Sequence, residues 1–273
     1  PAGYSEQVLG LEYAGTVEAV GHGVDRFAVG DAVMGITGGG GYAEFVVESA
    51  STAVAAPANL DLVQVGAVPE VFMTAFDAAF VQEGLLKDET LLVHAVGSGV
   101  GTAALQLGAR AGVTVIGTSR TPAKLERAAE LGLTHGVVAE PGWPELIMKL
   151  TGGRGVDVIL DLVGGPYLAG NQRVLAQRGR HIAVGVPGGL KAEIDLRALM
   201  GRRGSIRGTV LRARSVEEKA ALARAFETQV LPGFDDGALQ PVIDTVFPAA
   251  KASNAHRYME SNRNFGKILL EWG

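Results

Sequence analysis

Residues 91–112 read LLVHAVGSGVGTAALQLGARAG and decide the fold. An apolar run of strand length ends in a cluster of small residues, Gly97-Ser98-Gly99-Val100-Gly101, and an alanine-rich helical pattern follows at once. A strand that ends in glycines and passes directly into a helix turns the free N–H groups of the helix toward the turn. The stretch therefore predicts the first β–α unit of an α/β domain.

The same alternation continues down the chain. Four near-continuous apolar runs have the length of strands, at 90–96, 113–119, 155–163 and 181–186. Helical patterns follow them or lie between them, at 102–112, 122–132, 143–152 and 166–179. Apolar strands that alternate with helices predict βαβ units, and hence a doubly wound parallel sheet covered on both faces.

The two ends of the chain show a different pattern. Strand-like runs broken by glycine fill residues 8–56, as VLGLEYAGTVEAVG (8–21), FAVGDAVMG (27–35) and GYAEFVV (41–47), and they predict antiparallel β-structure. Ser215 and Glu218 form a capping-box pattern, and a strand, a helix and a final strand are predicted at 241–247, 249–261 and 267–272. The chain therefore shows a three-part layout, which is β-rich, then α/β, then a short tail of mixed elements.

Composition excludes several classes of protein. With no cysteine among 273 residues, the chain has no disulfide framework, no thiolate metal site and no cysteine nucleophile. A net charge of −5 without a block of Lys and Arg argues against a nucleic-acid partner. No apolar run reaches the ~20 residues of a membrane span, and no signal-peptide pattern opens the chain. We expect a cytoplasmic protein, and Pro1 in place of a methionine indicates that an upstream segment is absent from this sequence.

Titratable residues give few further signals. The five histidines show no metal-ligand spacing. His94 and His181 lie on predicted strands, where we expect them to pack or to hydrogen-bond. Asp161 ends an apolar strand, and we expect it either to cap a helix or to lie beside a cofactor.

The glycine turn alone has two interpretations. It can hold the pyrophosphate of a dinucleotide, or it can be an ordinary tight turn between a strand and a helix. The strict G-x-G-x-x-G spacing is not met, because Val96 stands where the first glycine is expected. A hydrolase elbow around Ser98 is excluded because Val96 and Val100 occupy both glycine positions. A P-loop is excluded because no Lys-Ser/Thr pair follows the turn.

The end of the next predicted strand bears on the choice of cofactor. An NAD site usually places Asp or Glu there to bind the ribose 2′-hydroxyl, but this chain has Thr118-Ser119-Arg120. Arg120 and Lys124 supply positive charge where a 2′-phosphate would lie, which favours NADP. The alternative is that both are solvated cations at the start of a helix.

Several motifs, in order, resemble those of a known family: GLEYAGTVEAVG, FAVGDAVMG, GYAEFVV, SGVGTAALQLG, DLVGG and NRNFGKILLE. The chain resembles the medium-chain dehydrogenase/reductase superfamily, and within it the zinc-free, zeta-crystallin-like NADPH:quinone reductases. The resemblance implies a Rossmann domain for NADP(H) at residues 76–236 and a homodimer. It also implies a GroES-like β-rich substrate domain, N-terminally incomplete, that combines residues 1–75 and 237–273.

The chain departs from this family's zinc-dependent members. They carry Gly-His-Glu where this chain has Gly10-Leu11-Glu12, and a zinc-binding cysteine where it has Glu70. The resemblance therefore implies no metal. Val137-Val138 stand where the family commonly shows Asn-Tyr near the adenosine.

The resemblance also implies the cofactor-binding residues. Gly97, Ser98, Gly99, Val100 and Gly101 would wrap the pyrophosphate, and Ser119, Arg120 and Lys124 would meet the 2′-phosphate. Thr74 would touch the nicotinamide amide. The ribose and nicotinamide side would be lined by Gly164, Gly165, Val184, Gly185, Val186 and Pro187. The cleft would be closed by Thr209, Val210, Leu211, Asn264, Phe265, Gly266 and Lys267.

The implied activity is hydride transfer from NADPH to quinones or other conjugated carbonyls. Such a reaction needs no protein nucleophile, and no catalytic residue or proton donor is identified. Two alternatives are an enoyl-thioester reductase of the same superfamily and a non-catalytic, NADPH-binding structural or sensor module.

Overall fold

The computed structural model describes residues 8–273. In this range the strands are β1 Glu12–Thr16, β2 Ala32–Ile36, β3 Val54–Ala55, β4 Thr90–Val93, β5 Thr114–Ser119, β6 His135–Val138, β7 Val156–Asp161, β8 Leu175–Ala183, β9 Ser205–Gly208, β10 Ile243–Pro248 and β11 Lys267–Glu271. The α-helices are α1 Leu62–Val65, α2 Pro69–Phe76, α3 Gly99–Arg110, α4 Pro122–Ala129, α5 Trp143–Leu150, α6 Leu168–Val174, α7 Leu196–Arg202, α8 Val216–Gln229, α9 Pro232–Asp235 and α10 Ala252–Glu260. A π-helical segment covers Asp77–Gln82, and 3-10 turns cover Gly165–Tyr167 and Ala249–Lys251.

The chain divides into two compact units. The central unit is Ala75–Thr209, and the flanking unit combines Pro1–Thr74 with Val210–Gly273. The ranges predicted from sequence differ from this division over residues 210–236, which the structure places in the flanking unit. Contacts inside that unit explain the difference. Asn59 Nδ2 donates a hydrogen bond to the Phe234 carbonyl at 2.7 Å, and the Phe72 and Phe234 rings meet edge to face at 4.9 Å.

The central unit is built on a six-stranded parallel sheet in the order β6-β5-β4-β7-β8-β9. All four residues of β4 are buried, as expected for a strand covered on both faces. The chain advances from β4 to β6 and then returns to β7 on the far side of β4. Right-handed crossovers therefore place α3 and α4 on one face and α5 and α6 on the other. The predicted doubly wound parallel sheet is confirmed.

Close packing holds α3 on this sheet. A Cβ added at Gly108 would lie 2.7 Å from the Val115 side chain on β5, so glycine allows helix and strand to approach. The core beneath contains Leu92, Ile116 and Ile159, each at most 1% exposed. These apolar contacts fix the carboxyl ends of the strands, where the glycine turn lies.

The flanking unit contains an antiparallel sheet in the order β1-β2-β3 and a parallel pair of β10 with β11. This β-rich architecture confirms the predicted fold of the chain's ends. The predicted capping box is also present, since Ser215 and Glu218 bond each other's backbone N–H groups at the start of α8. The predicted helix at 249–261 is found as a 3-10 turn followed by α10.

Two local predictions are wrong. Residues 41–47 form no strand, and the side chains of Phe45 and Val47 are 73% and 93% exposed. Alternation sets the two faces of a strand but supplies no pairing partner. The helix predicted at 166–179 ends at Val174, and Leu175 begins β8, since Leu175 and residues 180–183 pair with β7 on either side of a register shift.

Within residues 8–273 no helix is both long and apolar enough to cross a membrane.

Candidate cofactor-binding site

The glycine turn follows β4 and leads into the N-terminus of α3. Ser98 is the N-cap residue, and its Oγ accepts a hydrogen bond from the Gly101 N–H at 3.1 Å. A Cβ at Gly101 would lie 2.6 Å from the carbonyl oxygens of both Ala95 and Val96. Only glycine fits there, so the first turn of the helix packs directly against the preceding backbone. A helix N-terminus that approaches bare backbone suits an anionic group.

Ser119, Arg120 and Lys124 lie at the end of the neighbouring strand. The Val96 N–H donates to the Thr118 carbonyl at 3.0 Å, which ties the glycine turn to the end of β5. Ser119 is buried, and its Oγ accepts from the Thr121 N–H at 3.1 Å. Arg120 is exposed, and Lys124 lies in the first turn of α4. The structure thus brings the predicted pyrophosphate and 2′-phosphate residues to one edge of the sheet.

Asp161 holds the two loops that follow β7 and β8. Its Oδ1 accepts from the N–H groups of Val163 at 2.8 Å and Gly164 at 2.9 Å. Its main-chain oxygen accepts from the N–H groups of Val184 at 2.9 Å and Gly185 at 3.3 Å. Of the predicted ribose and nicotinamide residues, Gly164 is therefore held by the Asp161 carboxylate, and Val184 and Gly185 are held by the Asp161 main-chain carbonyl.

A buried polar network lies beneath these loops. Asn171 Nδ2 donates to Asp161 Oδ2 at 3.0 Å, so its Oδ1 faces His94 and accepts from Nε2 at 2.6 Å. His94 Nδ1 then accepts from the Thr118 hydroxyl at 2.8 Å. His181 Nε2 donates to Asp161 Oδ2 at 3.1 Å. The prediction that both histidines hydrogen-bond is confirmed, and Asp161 supports the loops as a structural carboxylate.

Burial and charge set the protonation states in this network. Burial lowers the pKa of His94 to about 4, although Asp161 and Asn171 favour its charged form. Burial alone would raise the pKa of Asp161. The His181 hydrogen bond, the nearby His94 and the two backbone N–H donors outweigh burial and hold this pKa below its usual value. At pH 7 His94 is therefore neutral, with its proton on Nε2, and Asp161 is ionised.

An open cavity of about 360 Å³ lies in the central unit, between the ends of α5 and α6. Trp143 and Tyr167 form part of its wall and stack with ring centroids 5.6 Å apart. The His94 ring meets Tyr167 edge to face at 4.6 Å. Burial raises the pKa of Tyr167, and the Arg120 charge opposes the shift. The cavity was not predicted from the sequence. Trp143 at the start of a predicted helix and Tyr167 after Gly164-Gly165 are the residues that could have indicated it.

The remaining predicted residues have varied surroundings. In the central unit, Thr209 continues β9, and its Oγ1 accepts from Gln82 Nε2 at 2.7 Å. In the flanking unit, Val210 is exposed, whereas Leu211 and Phe265 are buried. Asn264 Nδ2 donates to the Gly266 carbonyl at 3.1 Å, and a Cβ at Gly266 would lie 2.3 Å from the Val242 carbonyl oxygen. Leu211, Phe265 and Gly266 thus also have packing roles inside their unit.

Thr74 and Lys267 belong to a polar region of the flanking unit. Thr74 lies on α2 and is 6% exposed, and within residues 8–273 its Oγ1 has no hydrogen-bond partner. Lys267 Nζ forms an ion pair with Glu12 Oε1. Burial lowers the pKa of Lys267, but Glu12 more than compensates, so the net pKa is raised.

In the part of the chain that the structure describes, no group of three or more His, Asp or Glu residues is arranged to hold a metal ion.

Comparisons with known proteins agree with this geometry. A family profile described as Zinc-binding dehydrogenase matches residues 99–227, and one described as Alcohol dehydrogenase GroES-like domain matches residues 2–58. A quinone oxidoreductase of Sus scrofa is 34% identical over 268 residues, which cover 96% of this chain and 78% of that protein.

Two solved structures share the fold. A structure described as an NAD-dependent alcohol dehydrogenase has a TM-score of 0.88 at 32% identity, covering 100% of this chain and 84% of the other. A mycobacterial protein in complex with NADPH has a TM-score of 0.85 at 28% identity, covering 96% of this chain and 82% of the other.

Proposed function

Because the chain belongs to the medium-chain dehydrogenase/reductase superfamily, in its quinone oxidoreductase branch, we propose that it is an NADPH-dependent reductase of quinones or other conjugated carbonyls. The observation that carries the proposal is the glycine turn, which leads into a capped helix N-terminus at the carboxyl edge of a parallel sheet. Ligands of such sheets bind at this edge, where the strand order reverses.

The choice of NADPH rests on charge. One structural relative is described as NAD-dependent and another was solved with NADPH, so their names do not decide the cofactor of this chain. Arg120 and Lys124 lie at the end of β5 and the start of α4, and no carboxylate occupies residues 118–121. A 2′-phosphate gains charge-assisted hydrogen bonds from such cations, which favours NADPH over NADH.

The residues present fit the cofactor. Residues Gly97 to Gly101 would hold the pyrophosphate at the N-terminus of α3, because glycine at position 101 lets the first turn of the helix pack directly against the preceding backbone. The Trp143–Tyr167 cavity would take the adenine ring, because flat aromatic walls suit a flat base. Thr74 Oγ1, which lacks a partner in residues 8–273, would meet the nicotinamide amide. When bound, the nicotinamide supplies the hydride.

We also propose a homodimer formed through the edge of the central sheet. β9 is the terminal strand of the sheet order, so one of its sides faces no neighbouring strand of that sheet. Leu196 and Met200 on the nearby α7 are 65% and 75% exposed. An open edge beside exposed apolar side chains is commonly covered by a partner. Light scattering at micromolar concentration checks this proposal, and a monomer mass would refute it.

The proposed function is tested by following NADPH oxidation at neutral pH with quinones, enones and enoyl thioesters. We expect turnover with quinones or enones. Turnover with enoyl thioesters alone would instead support an enoyl reductase. Tight NADPH binding without oxidation by any acceptor would support a non-catalytic module.

A further inference from the structure

Helix α2 carries two buried side-chain oxygens that are not hydrogen-bonded within residues 8–273. They are Glu70 Oε2 and Thr74 Oγ1. Residues four apart lie on the same face of a helix, one turn from each other. A buried polar atom without a partner is costly to stability. A ligand that met both oxygens would remove this cost.

Charged groups surround Glu70 from three other elements of the flanking unit. Glu12 on β1 accepts a hydrogen bond from the Glu70 backbone N–H through Oε2 at 2.9 Å. The other Glu12 oxygen forms an ion pair with Lys267 on β11, and Lys219 on α8 also acts on Glu70. Glu12 is thereby held in place, and its negative charge stays close to the Glu70 carboxyl group.

Two further groups complete this environment. Burial raises the pKa of Tyr42, the Lys267 charge opposes this shift, and the Glu12 charge adds to it. The Tyr42 hydroxyl lies 3.1 Å from His256 Nε2. Burial and the Glu12 charge raise the pKa of Glu70 to about 7, although Lys267 and Lys219 oppose the shift. A carboxylic acid with this pKa is substantially protonated at neutral pH and can both donate and regain a proton.

We propose that Glu70 is the proton donor of the reduction. The inference rests on the proposed function, in which Thr74 contacts the nicotinamide amide. Glu70 and Thr74 are separated by a rise of ~6 Å along the helix axis. With the nicotinamide amide at Thr74, this spacing would place the Glu70 carboxyl group beside a substrate that is stacked on the nicotinamide.

The step balances for a quinone. The hydride would bring two electrons and one proton to the quinone, so that NADPH is oxidised to NADP⁺ and the quinone is reduced. The O–H bond of the Glu70 carboxyl breaks, and a new O–H bond forms on the reduced quinone oxygen. The product is the hydroquinone, and the Glu70 carboxylate takes a proton from water before the next turnover.

The main test is Glu70→Gln, which keeps the shape of the side chain and removes its acidic proton. We expect kcat with a quinone to fall about 100-fold, while KM for NADPH changes less than about twofold. The wild-type kcat should decline as pH rises through about 7, and this decline should be absent from the variant. Melting temperatures measured for both proteins verify that the variant is folded.

Glu83→Gln is the matched control. Glu83 is also a buried glutamate whose pKa is raised by burial, but it lies in the central unit beside Arg207. We expect its replacement to leave the pH midpoint of kcat unchanged. A loss of the midpoint in this control as well would overturn the assignment to Glu70.

A second variant and a spectroscopic measurement do not depend on the stability of Glu70→Gln. Lys219→Met removes a cation that favours the ionised form of Glu70, so the pH midpoint of kcat should move upward. Infrared difference spectra of the cofactor-free protein should show a carboxyl C=O stretch that disappears near pH 7 and is absent from Glu70→Gln.

The outcomes separate the donor role from the proposed function. If none of the acceptors supports oxidation of NADPH by the wild-type protein, the proposed function fails, and the donor role fails with it. If the protein is active but Glu70→Gln retains its kcat and pH midpoint, the donor role alone is wrong. A Glu70 carboxyl group that is already ionised at pH 6 in the infrared titration would also overturn it.

Discussion

His94 and Asn171 lie 77 positions apart in the chain, and their side chains are joined by a 2.6 Å hydrogen bond between Nε2 and Oδ1. Asn171 passes the connection to Asp161, which holds the N–H groups of Val163 and Gly164. One amide thus couples the end of β4, which precedes the glycine turn, to the loop after β7.

We predict that Asn171→Ala lowers the free energy of unfolding by about 2–4 kcal/mol, because it leaves the His94 N–H without a buried partner and removes one of the two side-chain hydrogen bonds to Asp161 Oδ2. Urea unfolding followed by circular dichroism measures the change. Asn254→Ala is the control, since Asn254 is exposed and its side chain accepts a hydrogen bond from Arg257 on the same helix. A change of less than 1 kcal/mol for Asn171→Ala would show that the network contributes little.

The network also predicts a dependence of stability on pH. His94 has a folded pKa of about 4, against an ordinary value of 6.5. Below 6.5 the unfolded chain binds a proton that the folded protein refuses, so stability falls as pH drops from 6.5 toward 4. The contribution of this group is on the order of 3 kcal/mol. Nuclear magnetic resonance of the imidazole carbons should show a neutral His94 ring at pH 5.5, and a protonated ring there would contradict the prediction.

The glycine turn gives a prediction about packing. Gly101→Ala should cost about 1–3 kcal/mol of stability, since its Cβ would lie 2.6 Å from two backbone oxygens. It should also weaken NADPH binding, measured by titration calorimetry. The matched control is Gly201→Ala in α7, where no atom lies within 4 Å of an added Cβ. Alanine there should be neutral or stabilise the helix by up to about 1 kcal/mol.

Cofactor preference is tested at the end of β5. We predict that kcat/KM with NADPH exceeds that with NADH by roughly ten- to hundredfold, or about 1.4–2.8 kcal/mol. Arg120→Ala combined with Lys124→Ala should remove most of this gap by weakening NADPH alone. Arg127→Ala, in the last turn of the same helix, is the control. A double variant with its preference intact would place recognition of the 2′-phosphate elsewhere.

Metal content gives an independent prediction. The chain has no cysteine, and the family resemblance implies that Leu11 and Glu70 stand in place of zinc ligands. Elemental analysis of protein purified without chelators should therefore find no stoichiometric zinc. About one zinc per chain would contradict this expectation.

The local patterns of the sequence predicted the parallel sheet well. Near-continuous apolar runs such as 90–96 identify strands covered on both faces, and the glycines mark the turn before α3. Pairing partners were harder to predict. Residues 41–47 alternate like a strand but form none, because periodicity does not specify a neighbour.

The candidate site was predictable only in part. The glycine turn, Arg120 and Lys124 follow two successive strands of the chain, so their motif is visible in the sequence. Asn171 was not predicted, because its partners on β4 and β7 are brought together only by tertiary folding. The Trp143–Tyr167 cavity was missed for the same reason, since its walls come from two helices.

Asp161 accepts hydrogen bonds from main-chain N–H groups of both loops, and this determines which substitutions the site tolerates. Because both loops are anchored through backbone atoms, the side chains of Val163 and Val184 are free to be exchanged while the loop paths persist. Libraries randomised at these two positions should therefore yield many folded proteins, whereas exchanges at Asp161 should release the loop after β7, whose N–H groups its carboxylate holds.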